Sequence, residues 1–119
     1  MSTQEAVRLG ECIVNGTAAG PQWTSWVLNE MRHVRGTTAQ QPYGGRWGII
    51  DAIPSAYAPT VAIKNGWTLH SDRSWHVNCL GIHDDWILAI MTIYPGEHGL
   101  DYGARLCETI TRQVLQLDG

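Results

Sequence analysis

The chain has 119 residues, a formal charge of −3 and an apolar fraction of 44%, which allows one domain with a single core. Its arginines are scattered and form no basic stripe, so nucleic-acid binding is disfavoured. The longest apolar run, Trp86 to Ile93, is far too short to span a membrane, the N-terminus has no signal-peptide pattern, and no motif indicates a cofactor.

Residues 1–36 have the pattern of two helices. Ser2 and Glu5 match a capping box, in which each side chain satisfies a free backbone donor at the start of a helix. Apolar residues recur at helical spacing from there to Asn15, and again from about residue 21 to Val34. We therefore predict two helices in this part of the chain.

Residues 37–60 are predicted to be an irregular connection, because prolines and the Gly44-Gly45 pair interrupt them. Only residues 47–50 favour a short extended piece. A connection of this length is unusual inside a small domain, which suggests a functional loop or a contact with another molecule.

Three apolar runs follow, at residues 61–68, 75–82 and 86–93, and the short turns between them favour an antiparallel meander. None of the runs alternates cleanly, so we expect the sheet to be covered on both faces. A last helix is predicted over residues 100–117. The order α-α-β-β-β-α indicates an α+β fold, and we treat residues 1–119 as a single domain, with residues 61–119 carrying the sheet and the last helix.

The cysteines and tryptophans are interpreted mainly as core residues. Cys12, Cys79 and Cys107 lie within apolar patterns, so we expect small buried hydrophobes rather than disulfides. Four tryptophans are predicted to be buried: Trp23, Trp26, Trp47 and Trp86. Trp67 and Trp75 flank the loop after Lys64 and are either core residues or the walls of a pocket.

Lys64 is the only lysine of the chain, and it ends an apolar run just before Gly66. Burying a lysine is costly, so a single lysine at the point where a buried strand surfaces is a candidate functional residue. The glycine beside it would let a ligand approach the backbone. The alternative is an ordinary lysine that surfaces at the end of a strand.

If Trp67 pairs with Trp75, Lys64 lies opposite Asn78 and Gly66 lies opposite His76. Period-2 geometry then places Lys64, His76 and Asn78 on one face, with Cys79 on the other. A cation, an imidazole and an amide on one face suit an anionic ligand. A Cys79–His76 nucleophile pair is disfavoured because these residues face opposite ways, and the spacing of the histidines, cysteine and aspartates matches no metal cage.

Together these segments resemble the C-terminal part of the serine β-lactamase and penicillin-binding-protein superfamily, nearest the class A-like serine hydrolases. The resemblance rests on Val61–Trp67, Trp75–Asn78 and Trp86–Thr92, with residues 3–15 and 22–34 resembling the last helices of the family's α-helical lobe. In that family a Lys-Thr/Ser-Gly motif ends the strand that lines the active site. The chain covers about the C-terminal half of such a protein, and the family's members imply a periplasmic or secreted location.

The resemblance implies roles for the residues of this motif. Lys64 would hold the substrate carboxylate and tune the proton network around the nucleophile. Gly66 would let substrate lie against the strand, and the backbone N–H of Trp67 would be one of two oxyanion donors. Asn65 replaces the usual Thr or Ser, and its amide would donate to the carboxylate; His76 and Asn78 complete the predicted substrate-binding set.

The family's nucleophile lies in a Ser-x-x-Lys motif. This chain has one lysine, Lys64, and the residue three before it is Val61, so the motif is absent. We therefore expect a chain that is inactive alone and is completed by a separate N-terminal half or a second copy, which pairs with the strand edge at residues 86–93. The alternatives are a non-catalytic module that binds a carboxylate-bearing small molecule or peptide, and, more remotely, an enzyme that uses Cys79.

Overall fold

The predicted α+β meander is confirmed by a computed structural model, which describes residues 2–117. Its helices are α1 (Thr3–Val14), α2 (Thr24–Arg32), α3 (Ile49–Ala52) and α4 (Gly99–Val114), and its strands are β1 (Ala62–Leu69), β2 (Ser74–His83) and β3 (Trp86–Pro95). The strands form one antiparallel sheet in the order β1-β2-β3. Short 3-10 turns precede β1 at Ala58–Thr60 and follow β3 at Gly96–His98.

The start of α1 is fixed by the predicted capping box. The Ser2 hydroxyl accepts from the Glu5 N–H at 3.0 Å, and the Glu5 carboxylate accepts from the Ser2 N–H at 2.9 Å. The hydrogen bond from the Ser2 N–H is the main reason that the pKa of Glu5 lies below its ordinary value, because it stabilises the charged form.

The register of β1 against β2 differs from the prediction by two residues. Trp67 pairs with Val77 rather than with Trp75, so that Lys64 lies opposite Leu80 and Gly66 opposite Asn78. The strands run further into the hairpin than expected, which leaves only residues 70–73 as the turn. Because a shift of two residues preserves the faces of a strand, Lys64, His76 and Asn78 still share one face and Cys79 lies on the other.

Helices cover both faces of the sheet. On the first, which we call the α1 face, Met31 of α2 packs with Ala62 and Ile82. On the second, which we call the α4 face, Val77 and other strand residues form the largest buried cluster with α4. The α1 face is uncovered toward the end of β3, where Ile93 is 69% exposed.

Cys79 and Cys107 form a disulfide, so the prediction that they are simple buried hydrophobes was wrong. Both are buried as expected, but they face each other between β2 and α4 and are 28 residues apart in sequence. Cys12 is the free cysteine among residues 2–117. The disulfide fastens the last helix to the central strand of the sheet.

The irregular connection contains more structure than the sequence predicted. Residues 49–52 form the short helix α3 rather than part of an extended piece, and the Asp51 carboxylate caps it by accepting from the Gly48 N–H at 2.9 Å. Upstream, the Gly45 N–H donates to the Arg35 carbonyl and the Arg46 N–H donates to the Gly36 carbonyl, and these two bonds close a loop. We refer to residues 36–47 as the Trp47 loop.

The tryptophans divide differently from the prediction. Trp47 is buried as expected, Trp86 is partly buried, and Trp67 and Trp75 pack against the cluster on the α4 face. Trp23 and Trp26 were predicted to be core residues but are 53% and 57% exposed. Trp23 is the N-cap residue of α2 and Trp26 lies in its first turn, where both side chains are largely in contact with solvent.

Within residues 2–117, no helix combines the length and the apolar character that crossing a bilayer requires.

Candidate functional site

The hydrogen-bond pattern of the first hairpin decides which backbone groups of β1 are available to other molecules. The His70 N–H donates to the Ser74 carbonyl at 2.8 Å, and in an antiparallel pair such bonded positions recur at every second residue. Thr68, Gly66 and Lys64 therefore direct their backbone groups toward β2. Asn65 and Trp67 direct theirs away from it, toward the free side of β1, which we call the β1 edge.

Lys64 surfaces where the sequence predicts, between the buried residues Ile63 and Asn65. Its side chain leaves the α1 face and turns to the β1 edge, where the Nζ atom donates to the Asn65 carbonyl at 2.7 Å. The ammonium group is therefore held beside the strand by the backbone that follows it. An anionic ligand at the β1 edge would meet this charge directly.

A cavity of about 500 Å³ lies on the α1 face and brings together the three predicted polar residues. Lys64, His76 and Asn78 line it, with apolar side chains of α1 and β3 that include Leu9 and Met91. Two polar groups above an apolar wall, with the Lys64 ammonium at the margin toward the β1 edge, suit a ligand that has an anionic end and an apolar body.

The hairpin at one end of this cavity places two histidines in contact. The rings of His70 and His76 stack with their centroids 3.7 Å apart. The adjacent Asp72 carboxylate accepts from the Ser74 hydroxyl at 2.6 Å and from the Ser74 N–H at 2.9 Å. These bonds, the hydroxyl's first, lower the pKa of Asp72. His76 is thus oriented by the hairpin as well as by the strand.

Gly66 and Trp67 leave this part of β1 accessible, Gly66 from the α1 face and Trp67 from the β1 edge. A Cβ atom placed on Gly66 would meet nothing within 4 Å, so there is free space directly above this backbone. The Trp67 ring packs on the α4 face against Trp47, with centroids 5.3 Å apart. Its backbone N–H points out of the sheet edge by the pattern given above, which is the direction that an oxyanion donor requires.

Asn65 lies on the opposite face from Lys64 and is only 3% exposed. Its amide nitrogen donates to the Gly45 and Trp47 carbonyls, each at 2.8 Å, so both N–H bonds are committed to the Trp47 loop. This arrangement gives no support to the predicted donation to a substrate carboxylate. The Oδ1 atom is buried and has no partner among the described residues.

Two other chemistries were considered from the sequence, a cysteine nucleophile and a metal site. Cys79 is bonded to Cys107 and is 2% exposed, so it carries no free thiol, and a nucleophilic Cys79 is excluded in this state. Among residues 2–117, no group of three or more histidine, cysteine and acidic side chains is placed to hold a metal ion.

Three residues beside the site were not predicted from the sequence to have a role in it: Gly45, Trp47 and Gly48. The Gly45 and Trp47 carbonyls accept from the Asn65 amide nitrogen, and the Gly48 backbone packs against the disulfide. Only the glycine pair and the irregular composition of the Trp47 loop hinted at a role, because a backbone contact across 18 to 20 residues leaves no periodic signal.

Comparisons with protein-family models, with curated proteins and with solved structures returned no match to this chain.

Proposed function

We propose that this chain forms the substrate-binding strand of a β-lactamase-like serine hydrolase and supplies one donor of its oxyanion hole. The observation that carries the proposal is the β1 edge, where a lysine ammonium, a glycine with free space above it and an outward N–H follow one another over Lys64–Trp67. Acyl transfer needs a binding charge, close backbone approach and a donor for the developing oxyanion, in that kind of proximity.

The nucleophile and its base come from a second polypeptide segment in this proposal. These 119 residues contain no Ser-x-x-Lys motif, because the residue three before the only lysine, Lys64, is Val61. The chain alone is therefore expected to bind substrate without forming an acyl-enzyme. With the second segment in place, Lys64 would bind the carboxylate and the Trp67 N–H would stabilise the tetrahedral intermediate.

The free side of β3 is the place where we expect the second segment to dock. The Gly96 N–H donates to the Arg73 carbonyl at 2.7 Å at the end of the β2–β3 pair. Counting back from Gly96, every second residue of β3 therefore directs its backbone N–H and carbonyl toward β2, and the residues between direct theirs to the free side. The outward set is Ile87, Ala89, Met91 and Ile93. This edge carries no charge and no bulge to protect it, and such an edge favours the addition of a strand.

Labelling with a fluorescent penicillin and a fluorophosphonate tests the proposal. The purified chain should remain unlabelled, and co-expression with a polypeptide that contains the Ser-x-x-Lys segment should give label on that polypeptide. Lys64→Met should lower the labelling rate by about a hundredfold, which is typical for the loss of one charge-stabilising group. Arg105→Met, which changes an exposed cation on α4, is the matched control. Label on this chain itself would refute the assignment.

A substitution on the free side of β3 tests the docking step separately. Met91→Lys places a charge on the outward set and should prevent association with the second segment. Leu69→Lys makes the same kind of change at an exposed position of β1 and should leave association intact. Equal association of both variants in analytical ultracentrifugation would exclude the β3 edge as the docking site.

A non-catalytic carboxylate-binding module is the second candidate, because the described residues form the cavity around Lys64 without help from another chain. Titration of the chain with N-acetylalanine, followed by NMR, distinguishes the two. Binding that perturbs Lys64 and Asn78, together with no labelling in any co-expressed complex, would favour the module.

A further inference from the structure

The Cys79–Cys107 disulfide lies directly behind the β1 edge. Cys79 is the cross-strand partner of Asn65, and the pair is one of the non-hydrogen-bonded positions, where side chains lie closest. Both residues face α4, and both are almost fully buried. The disulfide and the Asn65 amide are therefore neighbours in one buried layer.

Gly48 joins the disulfide to the Trp47 loop. It has φ +85, and a Cβ atom there would lie 3.1 Å from the Cys79 Sγ and 3.2 Å from the Cys107 Cβ. The backbone at residue 48 thus rests on the disulfide, in a conformation that favours glycine. One residue earlier, the Trp47 carbonyl accepts from Asn65, so the position of this backbone depends on contacts from both sides.

These contacts lead to the β1 edge itself. Trp47 is 3% exposed, its indole N–H donates to the Gly44 carbonyl at 2.8 Å, and its ring contacts that of Trp67. Trp67 carries the outward N–H of the β1 edge. A displacement of Trp47 therefore changes the packing that holds Trp67 in place. We call Trp47, Gly48, Asn65, Cys79 and Cys107 the brace.

We propose that the brace positions the β1 edge and is sensitive to redox conditions: the oxidised disulfide holds Trp47 and Asn65 in place, and its reduction loosens the edge at Trp67. Asn65 is a positioning residue in this proposal rather than a contact for substrate. The inference concerns the geometry of the edge and holds whether or not the edge serves acyl transfer. It also links an ordered edge to an oxidising compartment, where disulfides persist.

The chemical step is ordinary thiol–disulfide exchange. Dithiothreitol breaks the S–S bond, Cys79 and Cys107 each gain one electron and one proton, and dithiothreitol closes to its own cyclic disulfide. Because both sulfur atoms are buried, reduction requires a local opening of the α4–β2 contact.

Hydrogen exchange of the Trp47 indole N–H, followed by NMR on the full chain with labelled tryptophan, tests the proposal. In the oxidised protein this proton should exchange slowly. Reduction, or the double variant Cys79→Ala/Cys107→Ala, should speed its exchange about tenfold or more and shift the Trp67 amide signal, as a local opening predicts. The Thr92 amide in β3 should exchange no faster than the global free energy of unfolding of the same sample, measured in urea, allows, and Cys12→Ala is the matched control without effect.

Two results would overturn the proposal: unchanged Trp47 exchange after reduction, or Trp47 exchange in the reduced protein that is no faster than its global unfolding allows, which would mean that the disulfide only adds global stability. If the double variant does not fold, the dithiothreitol-reduced wild type tests the disulfide, and Asn65→Thr tests the Asn65 contacts with the disulfide intact. Asn65→Thr should speed Trp47 exchange beyond what the global unfolding of that variant allows, with Thr92 exchanging at the rate that global unfolding sets. Slow Trp47 exchange in Asn65→Thr would refute the brace.

Discussion

Replacement of Asn65 by alanine should destabilise the folded chain far more than the same change at Asn78. The two residues have the same side chain and lie on adjacent strands of one sheet. Asn65 is 3% exposed and donates two hydrogen bonds of 2.8 Å to the carbonyls of Gly45 and Trp47. Asn78 is exposed on the α1 face. The comparison therefore isolates burial and hydrogen bonding from residue type.

The expected cost follows from the groups that lose their partners. Each hydrogen bond contributes about 0.5–1.5 kcal/mol net, and a buried acceptor left without a donor costs about 1–3 kcal/mol. The unpartnered Oδ1 of Asn65 is removed by the same change, which returns part of this free energy. We expect a net loss of about 2–3 kcal/mol for Asn65→Ala. Asn78→Ala should stay within about 0.5 kcal/mol of the wild type, as is usual for surface positions.

Urea unfolding followed by tryptophan fluorescence measures both variants. With an m-value of about 1–3 kcal/mol per molar for a protein of this size, Asn65→Ala should lower the midpoint by about 0.7–3 M at unchanged slope. Asn65→Asp adds a stricter test, because it points a carboxylate at two carbonyl oxygens and should cost at least as much as alanine. If Asn65→Ala unfolds with the midpoint of Asn78→Ala, the structural role given to Asn65 is wrong.

Two further predictions concern the disulfide and the start of α1. The double variant Cys79→Ala/Cys107→Ala removes a crosslink between residues 28 apart in sequence. It should lower the free energy of unfolding by about 3–4 kcal/mol, because the unfolded chain regains the entropy of the open loop. The melting temperature of Cys12→Ala should match that of the wild type within a few degrees. Because the pKa of Glu5 is lowered in the folded state, mainly by the Ser2 N–H, its stabilisation is complete above the unfolded pKa and is lost as pH falls through the folded one. Glu5→Gln should therefore be less stable than the wild type near neutral pH, with the difference disappearing in strongly acidic urea titrations; a difference independent of pH would contradict this.

The order of the elements was predictable because each one has a local signal. The capping box marks α1, and three apolar runs with short turns define the meander. The register was harder, since the prediction relied on Trp67 and Trp75 facing each other at the mouth of the hairpin. The strands instead continue to Leu69 and Ser74. The grouping of Lys64 with His76 and Asn78 survived only because the shift was an even number of residues.

The brace was not predictable from the sequence for a different reason. The Cys79–Cys107 bond joins a strand to a helix 28 residues later, and nothing in the spacing of three cysteines indicates which of them meet. The acceptors of Asn65 are backbone carbonyls, which every residue carries. A contact of this kind has no compositional signal and is visible only once the Trp47 loop has a position.

The alternation of β1 constrains where a substrate carboxylate would bind in the proposed hydrolase. Lys64 and Asn65 are adjacent, so their side chains leave opposite faces of the strand. Since both amide N–H bonds of Asn65 are committed inside, the partners that remain for a carboxylate near Lys64 lie on its own face, at Asn78 and His76, in the cavity that all three line. A site of this kind would bind the carboxylate on the α1 face. In the Lys-Thr/Ser-Gly motif that the sequence resembles, the carboxylate contact would instead come from the Thr or Ser next to the lysine. If the proposed function holds, the specificity of the site should depend on Asn78 and His76 more than on Asn65, whose amide is committed to the Trp47 loop.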